Sequence, residues 1–79
     1  MAPVFSPLLV FLSDRSDDAV ALSFDEIEGI IGVPLPVKYR VESDKWASAR
    51  YAHVRLWQAL GWRAHFDRRN RRVVFRRSR

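Results

Sequence analysis

The sequence has no cysteine, three glycines, four prolines and one methionine among its 79 residues. Without cysteine there are no disulfides, no thiolate metal ligands and no thiol nucleophile. Three isolated glycines cannot make a glycine-rich phosphate loop, and no serine sits in a nucleophile elbow. The two histidines, His53 and His65, have no neighbouring cluster of acids with which to hold a metal. Long apolar runs are missing too. Residues 4–12 are interrupted by Ser6 and Pro7, follow no basic stretch and lead to no small-residue cleavage site, so neither a membrane span nor a signal peptide is expected. These absences point to a cytoplasmic, non-enzymatic protein with no cofactor and no small-molecule substrate.

What is present is aromatic and basic. Three Trp, five Phe and two Tyr in a chain that is 48% hydrophobic supply the large side chains that a domain this small needs to build a core. We expect one domain over residues 1–79. Fourteen Lys and Arg against nine Asp and Glu leave a net charge of +5, and the excess is unevenly spread. Residues 1–44 carry eight acids against Arg15, Lys38 and Arg40, whereas residues 45–79 carry eleven bases against Asp67 alone. Twelve of the bases are arginine, whose planar fork suits phosphate and guanine. That asymmetry predicts a nucleic-acid surface in the C-terminal half. Mutual neutralisation of the two halves is the simpler alternative.

Local signals give the element order. Ser6 before Pro7 reads as an N-cap and first turn for a short core helix through Leu8, Leu9, Phe11 and Leu12. Val20–Leu22 reads as a brief extended segment. Ser23-Phe24-Asp25-Glu26 is a capping box with Leu22 and Ile27 as a hydrophobic staple, and Gly32 before Val33-Pro34 ends that helix. Residues 37–43 carry no clear pattern. From about Asp44 to Leu60 an apolar stripe of Trp46, Ala49, His53, Trp57 and Leu60 predicts one continuous helix. Beyond Gly61 the period becomes two. Trp62, Ala64 and Phe66, then Val73 and Phe75, predict a hairpin with a turn at Arg68–Arg71. The expected fold is therefore a small α+β, winged-helix-like domain: helix, short strand, helix, helix, two-stranded basic hairpin.

Leu22-Ser23-Phe24-Asp25-Glu26-Ile27-Glu28 with Ile30, Ile31 and Gly32, Pro34-Leu35-Pro36, Trp46, Trp57, Leu60-Gly61-Trp62 and Val73-Val74-Phe75-Arg76-Arg77 together resemble an uncharacterised bacterial family, a domain of unknown function of similar length. The likeness covers most of residues 7–77. Lys45-Trp46 stands where that family usually has paired tryptophans, and Tyr51 where it tends to have histidine. The resemblance implies a fold and no activity.

Candidate sites follow from charge and helix geometry. Arg63, Arg68, Arg69, Arg71, Arg72, Arg76 and Arg77 are expected to meet phosphates, with Arg79 extending the set. Ser48, Tyr51, Arg55 and Gln58, on the helix face opposite the tryptophans, are expected to read bases, arginine pairing guanine and glutamine adenine. His53 is expected to be a hydrogen-bonded core histidine, and His65 a surface residue or minor phosphate contact. Asp25, Glu26 and Glu28 are accounted for by helix capping. The partner expected is double-stranded DNA, in a role such as transcriptional regulation. RNA is less favoured, because the tryptophans fit the core face and leave no stacking platform. The alternative is a protein-interaction module, such as a phage or antitoxin-like inhibitor, whose basic face meets an acidic partner or which self-associates.

Overall fold

The computed structural model describes residues 5–77, so Arg79 lies outside the described residues. In chain order the elements are α1 (Ser6–Ser13), β1 (Ala19–Ser23), α2 (Phe24–Ile31), a 3₁₀ turn (Val37–Arg40), α3 (Asp44–Ala47), α4 (Ala52–Ala59), β2 (Trp62–Asp67) and β3 (Arg72–Arg77). The fold is α+β with the anticipated winged-helix-like element order, one helix being split in two. The strands form an antiparallel sheet in the order β1-β3-β2, so the hairpin's second strand lies in the middle.

Local chemistry sets the boundaries of α2. Ser23 Oγ accepts the Glu26 N–H at 3.0 Å while the Glu26 carboxylate accepts the Ser23 N–H at 2.8 Å, the reciprocal exchange of a capping box. Gly32 ends the helix at φ 80° and donates its N–H to the Glu28 carbonyl, a left-handed conformation that glycine adopts without Cβ strain. The start of α1 differs from expectation. Phe5, not Ser6, occupies the cap position, and its carbonyl accepts the Leu9 N–H. Phe5 is buried and its ring meets Trp46 and Trp57 edge-on, so core packing sets where the helix begins.

The sheet alternates cleanly. Val20, Leu22, Val73, Phe75, Trp62, Ala64 and Phe66 face the helices. Partners Val20↔Phe75, Leu22↔Val73, Ala64↔Phe75 and Phe66↔Val73 sit side by side. Trp46, Trp57, Trp62 and Phe75 are fully buried with Leu8, Leu12, Ile27, Val54 and Val73. The indoles of Trp46 and Trp57 stack at 5.9 Å, and both meet the Phe75 ring edge-on.

That stack explains why the expected helix over 44–60 is interrupted. In one continuous helix, eleven residues would separate Trp46 from Trp57 by roughly 16 Å. Instead the chain leaves helical geometry at Ser48 (ψ 124°) and re-enters after Tyr51 (ψ 134°), which folds the two indoles together. The restart also changes the phase. Val54 and Trp57 are the buried residues of α4, while Ala49 and Leu60, expected in the core stripe, are exposed.

Candidate nucleic-acid interface

The basic hairpin forms where the alternation predicts it, with Asp67 opposite Arg72 closing a four-residue turn. Asp67 organises that turn. Its carboxylate accepts the Asn70 N–H at 3.2 Å, the Asn70 side-chain amide at 2.8 Å and Arg72 Nε at 3.2 Å. The hydrogen bonds from Asn70, side chain first, then backbone, hold its pKa below the ordinary carboxylate value, with Arg72 adding to them. Arg71 takes φ 55°, the one non-glycine residue with positive φ among those described, and its carbonyl accepts the Phe24 N–H at 3.0 Å. The turn is thereby fastened to the start of α2.

The seven arginines expected to meet phosphate separate into three groups. Arg68, Arg69 and Arg71 lie exposed on the turn, with no ion pair among the described residues. Arg63, Arg72 and Arg76 lie on the outer sheet face, where Arg63 stands directly opposite Arg76 and Arg72 opposite Asp67. Arg77 is different. Its Nη2 donates to the Arg15 carbonyl at 2.6 Å and its Nε to the Asp17 carbonyl at 3.2 Å, while the guanidinium lies 4.5 Å from the Trp62 ring centre. It holds the loop after α1 against the sheet, and two of its donors are engaged there.

The expected base-reading face does not assemble on one helix. Ser48 and Tyr51 fall in the turn between α3 and α4, while Arg55 and Gln58 are on α4. Tyr51 is half-buried, and its hydroxyl accepts Lys45 Nζ at 3.0 Å. That bond, followed by one from Arg50, lowers the Tyr51 pKa, and the Lys45–Tyr51 bond raises that of Lys45. Arg55 donates through Nη1 to the carbonyls of Ala49 (2.7 Å) and Arg50 (3.1 Å), satisfying backbone groups that the broken helix leaves open. Gln58 is exposed and lines a cleft with Ala47, Arg63 and His65.

His53 is hydrogen-bonded as expected, but it is half-buried at the edge of the core and not within it. Its Nε2 donates to the Lys45 carbonyl at 2.7 Å, and its ring packs edge-on to Trp57. Burial lowers its pKa against the opposing effect of that bond. His65 is exposed on the outer sheet face opposite Val74.

Sequence reasoning missed one feature altogether. A groove of about 370 Å³ lies between the hairpin turn and the 3₁₀ segment, lined by Phe24, Arg40, Val41, Arg68, Arg69 and Arg71. Arg40 comes from the acidic half, where it pairs with Glu28. Nothing in the pattern of residues 37–43 marked it as a neighbour of the hairpin. Among the described residues no cluster of His, Asp or Glu is placed to hold a metal, and no helix is long and apolar enough to cross a membrane.

Fold and site define a small α+β domain with an arginine-rich hairpin. A family model described as Domain of unknown function (DUF7662) matches residues 5–79, and the chain belongs to that family. No curated protein and no solved structure matches it.

Proposed function

We propose that this domain is a non-enzymatic, cytoplasmic protein that binds double-stranded DNA through its hairpin turn. The observation that carries the reading is the trio Arg68, Arg69 and Arg71, exposed on a rigidly tied turn with no acid paired to them among the described residues. A phosphate backbone supplies the charge they lack. Arg76, on the outer sheet face, adds to the same field. Affinity comes mainly from phosphates, and selectivity among sequences from the exposed side of α4, where Gln58 lies open to solvent.

The test is duplex binding at several salt concentrations. With three to five phosphates neutralised, the log–log slope of affinity against salt should be about −3 to −4.5. Changing Arg68, Arg69 and Arg71 together to Gln should flatten it by about 2.7 units, weaken all sequences alike and leave the melting temperature within a few degrees of the parent. Absence of duplex binding at about 50 mM salt, where counterion release still favours the complex, would overturn the reading.

One observation favours a protein partner instead. Leu56 on α4 and Leu60 at its C-cap are 44% and 41% exposed, one turn apart, and an apolar pair of that kind suits a protein surface better than a DNA groove. Leu56→Glu should abolish a protein complex while leaving hairpin-mediated duplex binding within about threefold, since a rim charge perturbs steering only modestly.

A further inference from the structure

The arginine turn does more than present charge on a ridge. Together with Arg40 and Val41 of the 3₁₀ segment and its neighbour, it walls the groove above Phe24. Arg40 is compensated by Glu28, so Arg68, Arg69 and Arg71 leave three positive charges around a space of about 370 Å³. That volume is at the small end for ligand sites and admits about one nucleotide. A space of that volume cannot enclose a duplex, which is wider overall than its major groove of about 12 Å.

Charge and shape therefore ask for different ligands from those a flat basic patch would take. An internal phosphodiester brings one negative charge and is flanked on both sides by sugar, so it meets the outside of the hairpin. A phosphomonoester carries about −1.5 to −2 at neutral pH and three terminal oxygens, and it can enter a concave site end-on. Each of those oxygens can accept charge-assisted bonds from a guanidinium fork.

Two features hold the site in shape before any ligand arrives. Asp67 and Asn70 lock the turn from one side, and the Phe24 N–H holds the Arg71 carbonyl from the other. Arg71 occupies φ 55°, a conformation that arginine adopts against its own Cβ and that glycine or asparagine would take at less cost. A bulky cation at the one left-handed turn position is spent on side-chain placement, not on making the turn. Asp25, an exposed carboxylate of α2, lines the adjoining cleft with Asn70 and Arg71 and not this groove.

We infer that the groove between the hairpin turn and the 3₁₀ segment binds the terminal phosphomonoester of a nucleic-acid strand, with Arg68, Arg69 and Arg71 as its ligands and Phe24 and Val41 as its apolar floor. The inference rests on the duplex-binding reading and narrows it to a preference for phosphorylated ends.

The experiment uses one short blunt duplex in three forms at a single salt concentration: 5′-phosphorylated, 5′-hydroxyl, and closed at both ends by loops. The phosphorylated form should bind about tenfold tighter than the other two, the equivalent of one additional charge-assisted hydrogen bond. Arg71→Gly should erase that difference while leaving the melting temperature equal or higher, because glycine relieves the backbone at this φ. Equal binding of all three forms would overturn the end preference and leave general duplex binding standing. Arg71→Gly retaining the preference would also overturn it. No binding to any form would overturn both readings. Adenosine 5′-monophosphate competing as well as the phosphorylated duplex would reassign the groove to free nucleotides and overturn the nucleic-acid end.

Discussion

Trp46 and Trp57 are stacked and equally buried, yet their indole nitrogens have different fates. Trp46 Nε1 donates to the Tyr39 carbonyl at 2.8 Å, tying α3 to the 3₁₀ turn, whereas Trp57 Nε1 is buried without a hydrogen-bond partner among the described residues. Replacing either by Phe removes similar volume, but only Trp46→Phe strands a carbonyl. We expect Trp46→Phe to be the more destabilising by about 1–2 kcal/mol, read from urea midpoints at unchanged m. His53 makes a separate, pH-dependent contribution. In the folded state its pKa is depressed by burial, with Lys45 Nζ opposing its charge and its own bond to the Lys45 carbonyl favouring it. The unfolded chain binds a proton at about pH 6.5 while the folded one resists. This stabilisation is thus complete above about pH 6.5 and is lost as the pH falls towards the lower folded value. His53→Phe should flatten the decline in melting temperature between about pH 7 and pH 5. The depressed pKa of Asp67 acts in a lower window, beneath the ordinary carboxylate value, and should remain in the variant.

At the level of elements, the break between α3 and α4 depends on Arg55 as much as on the tryptophans. Arg55→Ala removes both bonds to the Ala49 and Arg50 carbonyls. It should cost about 1 kcal/mol in thermal unfolding, while Gln58→Ala, fully on the surface, should cost nothing measurable and reduce discrimination between DNA sequences. Equal loss of discrimination in both, without destabilisation of Arg55→Ala, would mean that Arg55 reaches bases instead of bracing the turn. The same break shows where sequence patterns inform and where they mislead. The capping box, Gly32 and the period-two hairpin are legible because each depends on neighbours within a few residues. The split helix is not. Eleven residues are close to three whole turns, so Trp46 and Trp57 share a stripe whether or not the helix between them exists. The arginine turn could be located from composition, but the commitment of Arg77 to carbonyls of Arg15 and Asp17, about sixty positions away, could not. Arg40's place beside the hairpin was equally hidden, because it follows from how the 3₁₀ segment packs and not from any local motif.

For the molecule as a whole, the decisive feature is the position of the last strand. β3 pairs with β1 on one side and β2 on the other, and Phe75 on it meets both stacked tryptophans. The last described strand in sequence is therefore central in space, and the contacts that close the core join residues far apart in the chain. Such non-local closure slows folding relative to a helical bundle of equal length. A chain ending at residue 71 would retain the capping box and all four helices' sequences, yet lack the strand on which the other two assemble. It should show no cooperative thermal transition and should be degraded rapidly by protease, whereas a chain ending at residue 77 should melt cooperatively. During translation the consequence is one of timing. A ribosome adds about 5–20 residues per second, and until position 77 has left the exit tunnel the tryptophans have nothing to close over them. Until then the nascent segment is an unassembled, aromatic-rich polypeptide, and its native core can close only after β3 has emerged.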